Sequence, residues 1–176
     1  IQINQDEEAV PVDLTVEQDS WTAVRPGVRM AAPRMAFVDG VRRIEHRVLV
    51  GEGQRTIFGL LGSFGVGAVH VDRTARVAHE VLGRVLVTGG GHTADPFLAY
   101  VHGGPALRFD PRSAPETDPA VPVQGLQKAM HQTEAGLAER LSAEVDVVFL
   151  DGPLTFLTPA ARGSVAAVVT SRSPCG

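Results

Sequence analysis

The chain has 176 residues, 44% hydrophobic and 20% charged, with a net charge of −4. That is enough for one domain with a packed core and too little for two, with an ordinary globular composition. The negative balance excludes a protein that coats nucleic acid through bulk positive charge, but not an enzyme that meets nucleic acid through a local basic track and a carboxylate cluster.

Residues 1–33 are polar and carry Pro11, Pro26 and Pro33. They read as an irregular arm with a short helix near Thr15 to Thr22, preceding a domain over 34–176. Met35-Ala36-Phe37-Val38 is an apolar run that stops at Asp39-Gly40, and reads as a buried strand closed by a turn. Val41 to Val50 resumes with β-branched residues as a second strand, and Gly51-Glu52-Gly53 turns the chain. Thr56 to Val71 is a third strand bent at its glycines. Ala75 to Thr88 is a fourth strand, or a pair broken at Gly83, and Gly89-Gly90-Gly91 is a loop.

Residues 103–122 hold five prolines and read as a loop with little regular structure. No proline follows from Val123 to Ala143, where Leu126, Met130, Leu137 and Leu141 recur with helical period. Val145 to Leu150 is an apolar strand ending in Asp151-Gly152-Pro153, and Val165 to Val169 is one more buried strand. Strands followed by a crossover helix and further strands predict a mixed sheet of the α/β class.

Two segments match in form: Met35-Ala36-Phe37-Val38-Asp39-Gly40 and Val147-Val148-Phe149-Leu150-Asp151-Gly152. A carboxylate at the end of a buried strand is costly to keep charged unless something compensates it. If the two strands are neighbours, Asp39 and Asp151 come together, and a hard cation such as Mg²⁺ or Mn²⁺ relieves their repulsion. Asp-Gly after a strand is also a common turn signal, and the two readings stand about even. Glu134 joins the apolar stripe of Met130, Leu137 and Leu141, where a charge needs a partner. The alternative is a stripe edge whose carboxylate reaches water.

These three patches resemble the NurA nuclease family. The resemblance rests on Phe-Val-Asp-Gly at 37–40, the helical Glu134 and Leu-Asp-Gly-Pro-Leu at 150–154, and extends over 34–170. It implies a ribonuclease-H-like mixed β-sheet with flanking helices, and Mn²⁺- or Mg²⁺-dependent cleavage of single- or double-stranded DNA. It also implies a role in DNA end resection and double-strand break repair beside a HerA-type hexameric ATPase, and a homodimer. Carried over by position, Asp39, Glu134 and Asp151 are the catalytic metal ligands. The family also uses a later tyrosine and histidine that have no counterpart here, so the chain reads as lacking the family's C-terminal part. The alternative is an inactive nucleic-acid-binding or ATPase-partner scaffold on the same fold.

Arg42 or Arg43 is the candidate for steadying a substrate phosphate, since guanidinium pairs with phosphate oxygens bidentately; a solvated strand surface is the plainer reading. Gly62-Ser63-Phe64-Gly65 lacks the first glycine of a nucleophile elbow, and Gly89-Gly90-Gly91-His92 is not followed by the Lys of a phosphate loop. His70, His79, His92 and His102 show no zinc-type spacing. His131 reads as a surface histidine, and Glu144 as an ordinary solvated position.

No apolar run has membrane-spanning length, and the N-terminus lacks a basic region followed by an apolar one, so no signal peptide is expected. The single cysteine, Cys175, permits no internal disulfide, which fits the cytoplasm. The absence of an initial Met reads as a processed or truncated product.

Overall fold

A computed structural model describes residues 32–100, 102–152, 154–158 and 165–168. Among the described residues seven strands form one sheet: β1 (Met35–Glu52), β2 (Arg55–Asp72), β3 (Thr74–Thr88), β4 (Phe97–Tyr100), β5 (Ala106–Ser113), β6 (Val147–Asp151) and β7 (Val165–Val168). The helix α1 (Val121–Leu141) precedes β6, and a 3-10 turn (Leu154–Phe156) follows it. Across the sheet the order is β4-β5-β3-β2-β1-β6-β7. β1, β2 and β3 form an antiparallel meander, whereas β6 and β7 run parallel to β1. The mixed α/β sheet expected from the sequence is therefore present. The arm of residues 1–33 and its short helix lie outside the described residues, apart from residues 32 and 33.

Two sequence expectations are corrected. Asp39-Gly40 is not a turn: β1 passes straight through it to Glu52, so the two strands read at 35–38 and 41–50 are one. The glycine is there for a neighbour rather than for a bend, as the site shows. The proline-rich stretch is also not all loop, because β5 runs through Pro111. Ala106 to Phe109 pair with β4, and Asp110 to Ser113 pair with β3. The strand changes partner just before Pro111, so the missing N–H falls where only one side is paired. β4 was not expected at all. Gly83 does not break β3; the Phe64 ring lies against it from the paired position on β2.

The core lies between one face of the sheet and α1. Leu60, Phe64, Val66 and Ala68 of β2, Val85 and Val87 of β3, Ala36 and Val38 of β1, and Val148 and Leu150 of β6 are buried there. The helix supplies Leu126, Ala129, Met130, Leu137, Ala138 and Leu141. Glycine makes this contact close: a Cβ at Gly62 would press into Leu126, and one at Gly125 into Val87. Pro122 sits in the first turn, where a missing N–H costs no helical bond. At its start β1 is tied to β6. The Arg34 carbonyl accepts from the backbone N–H of Asp146, the Arg34 backbone N–H donates to Asp146 Oδ2 at 2.9 Å, and the guanidinium meets Oδ1 at 3.1 Å.

Candidate metal centre

β1 and β6 pair from Met35↔Val147 to Val38↔Leu150 and then part. Asp39 and Asp151 are each the next residue after the last matched pair, so the strands place them side by side at a step in the sheet. The condition set in the sequence reading, that the two strands be neighbours, is met. Their side chains start from the face opposite α1, the face on which Phe37 and Phe149 stack at 4.8 Å. Asp39 is exposed, and its Oδ1 accepts the Gly40 N–H at 2.8 Å.

Glu134 reaches the same step from the helix side. Its stripe is as expected, with Met130, Leu137 and Leu141 buried, and Glu134 itself is 1% exposed. The carboxylate lies so close over Gly40 that a Cβ there would collide with Oε1. On the other side, a Cβ at Gly152 would stand 3.8 Å from Oε2. Gly152 also has φ +145°, a conformation that side chains rarely adopt. The glycines of both Asp-Gly pairs thus flank one buried carboxylate.

His131 is not a plain surface residue. Its Nδ1 is 2.7 Å from Glu134 Oε2, and its Nε2 is 3.1 Å from the Gln127 amide nitrogen. With the imidazole neutral, the amide nitrogen donates to Nε2 and Nδ1–H donates to Glu134; with it protonated, His131 and Glu134 form an ion pair. Phe156 stacks on the imidazole. Burial pushes the Glu134 carboxyl above its usual range. The His131 hydrogen bond and charge pull it down, and the charges of Asp39 and then Asp151 push it up again. The Glu134 carboxyl therefore feels both aspartates.

Three carboxylates, one of them buried, are hard oxygen donors of the kind that Mg²⁺ or Mn²⁺ takes. Their oxygens are not drawn to within 4.8 Å of one another; among the described residues that spacing is reached by His70, His79 and Glu144. That second group leaves no sign in the sequence, because a spacing rule sees only ligands close along the chain, and here a hairpin and a helix end bring them together.

No family model matches the chain, and no curated protein matches it. A solved structure, that of the NurA nuclease from Sulfolobus solfataricus, is distantly similar. The match has a TM-score of 0.39 and 15% identity, and covers 70% of this chain. The chain spans 27% of the length of that structure.

Arg42 and Arg43 are both exposed, but successive strand residues face opposite ways. Arg43 shares the face of Asp39 and Val41, where it also meets Glu45 Oε2 at 3.3 Å. Arg42 lies on the helix side. The register Arg43↔Ser63↔Arg84 adds an arginine from β3 to the Asp39 face. Arg84 was missed in the sequence because only pairing across β2 aligns it with Arg43. Among the described residues no helix is long and apolar enough to cross a membrane.

The Glu134 shift has a testable sign. Its carboxyl is raised in the folded state, so its contribution to stability is fully present below the unfolded value and is lost as pH rises through the folded one. Without metal, Glu134→Gln should match the parent in acid and exceed it at neutral pH. Urea midpoints measured against pH with a chelator present check this. A difference that stays constant or reverses would show that the carboxylate is not held at a cost.

Proposed function

We propose that this chain hydrolyses phosphodiester bonds in DNA, using Mn²⁺ or Mg²⁺ held by Asp39, Glu134 and Asp151. The observation that carries the reading is the Glu134 carboxylate, buried between the glycines of two Asp-Gly pairs and within electrostatic reach of both aspartates. A buried carboxylate crowded by two more is costly, and a divalent cation is the group that offsets it. When bound, such an ion supplies Lewis acidity and a bound water of lowered pKa. The chain's own residues do the rest. His131 holds the Glu134 carboxylate in place, Asp39 and Asp151 rim the step, and Arg43 with Arg84 offers cations to a phosphate on the Asp39 face. Arg42, on the other face, belongs less to this role than Arg43.

A HerA-type hexameric ATPase as partner, a homodimer, a cytoplasmic setting and a role in break repair go with this reading. The first, second and fourth rest on the resemblance of the three sequence patches alone, the third on the lone cysteine. A scaffold without activity is the second reading. It is favoured by the spacing of the three carboxylates, wider than a closed ligand shell.

The test is cleavage of labelled single- and double-stranded DNA by the intact chain with Mn²⁺, Mg²⁺ or chelator. Metal-dependent products are expected. No product on either substrate would sink the nuclease reading and leave the scaffold.

A further inference from the structure

We propose a second metal site, of the Zn²⁺ type, formed by His70, His79 and Glu144. One ligand atom from each lies within 4.8 Å of the other two. Two imidazole nitrogens and a carboxylate oxygen form a borderline donor set that suits Zn²⁺ far better than Mg²⁺. Three protein ligands leave a fourth position for water. With metal–ligand bonds of about 2.1 Å, closing the three atoms onto an ion asks each to move by under about 1 Å.

The fold explains the gathering. Across β2 and β3, Ala68 faces His79 and His70 faces Arg76, with Ala78 as an extra residue between the matched pairs. His70 and His79 therefore share the helix face of the sheet, and their rings stand 5.8 Å apart, tilted by 60°. The extra residue also brings Arg76 onto this face and turns Val77 to the other one. Glu144 arrives from the turn that ends α1, where its N–H donates to the Leu141 carbonyl at 2.8 Å.

A second observation points to a ligand. His70 Nε2 is buried without a hydrogen-bond partner among the described residues. A buried imidazole nitrogen in that state has lost water and gained nothing, and a metal ion is a partner that it can take in its neutral form. A cavity of about 220 Å³ adjoins it, lined by His70 and Glu144 together with Arg34, Asp72 and Arg76. Arg34 is engaged by Asp146 and feels the charge of Asp72, and Asp72 and Glu144 line the cavity beside Arg76, so the cavity does not carry a bare positive field. An ion here would clamp the β2–β3 hairpin to the end of α1.

The site is independent of the carboxylate centre, and its test keeps the two apart. Zn²⁺ is titrated by calorimetry into the intact, chelator-stripped protein. One ion is expected to bind at about neutral pH, and the melting temperature is expected to rise with it. His79→Gln and Glu144→Gln, both near the surface end of the cluster, should each weaken Zn²⁺ at least tenfold. Asp39→Asn and Glu134→Gln should leave Zn²⁺ affinity within twofold. Co²⁺ should report a low-coordinate nitrogen-containing site by its visible absorption, bleached by Zn²⁺, and circular dichroism shows that each variant is folded. Zn²⁺ affinity unchanged in folded His79→Gln and Glu144→Gln, affinity lost in Asp39→Asn instead, or no Zn²⁺ bound at all would each overturn the proposal. None of these three results alters the Mn²⁺-dependent cleavage assay, so the two sites stand or fall separately.

Discussion

Asp39→Asn is expected to remove Mn²⁺-dependent DNA cleavage, by at least about a hundredfold, while the fold stays intact. Losing an outer partner of a metal ligand costs about 10- to 100-fold, so neutralising a ligand itself should cost at least the upper figure. The amide is isosteric, and its oxygen can still accept the Gly40 N–H that Asp39 Oδ1 accepts at 2.8 Å. Asp39 is exposed, so no core packing changes. Removing its charge also withdraws one of the influences that push the Glu134 carboxyl up. Metal-free stability should therefore be unchanged or slightly higher, within about 0.5 kcal/mol. Initial cleavage rates over a Mn²⁺ titration, with a urea curve for each protein, measure both. Cleavage equal to the parent would remove Asp39 from the chemistry and, with it, the proposed centre.

Gly40→Ala should damage the same centre from the other direction. The new methyl group would collide with Glu134 Oε1 and stand 2.9 Å from Met130 Cγ. Oε1 belongs to a buried side chain whose other oxygen is fastened to His131, so it cannot simply swing away. Overpacking of this kind costs about 1–3 kcal/mol. Because the displaced group is a proposed ligand, cleavage should fall together with stability. Gly136→Ala is the control: its Cβ meets nothing within 4 Å, and it lies inside α1. There alanine should raise stability by about 0.5–1 kcal/mol through helix propensity alone. A Gly40→Ala protein as stable and as active as the parent would mean that Glu134 does not sit over β1 as described.

The parts of the fold legible in the sequence were those with a period. The stripe of Met130, Glu134, Leu137 and Leu141 was readable because burial on one helix face imposes its spacing on the residues themselves. The apolar runs before Asp39 and Asp151 were readable as strands because each is a short unbroken apolar stretch closed by Asp-Gly, and their matched form made neighbouring strands the condition for a joint site. What Gly40 does was not readable. A glycine after an aspartate spells a turn locally, and only the approach of a helix from beyond position 120 gives it another purpose. Pro111 misled for a related reason: proline forbids pairing on one side, and β5 exploits the freedom left on the other by changing partners there. Arg84 and the His70–His79–Glu144 group depend on register between strands. No spacing along a single stretch of chain encodes register.

The tie between Arg34 and Asp146 joins positions 112 apart in sequence, and the step that holds Asp39 and Asp151 lies on the same strand pair. Such distant pairing forms slowly, since a long loop must close before any contact rewards it. The β1–β3 meander needs only its own hairpins, so a growing chain can assemble it while β6 is still being made. The acidic centre is then a late product of folding, and it comes into being only when β6 docks beside β1.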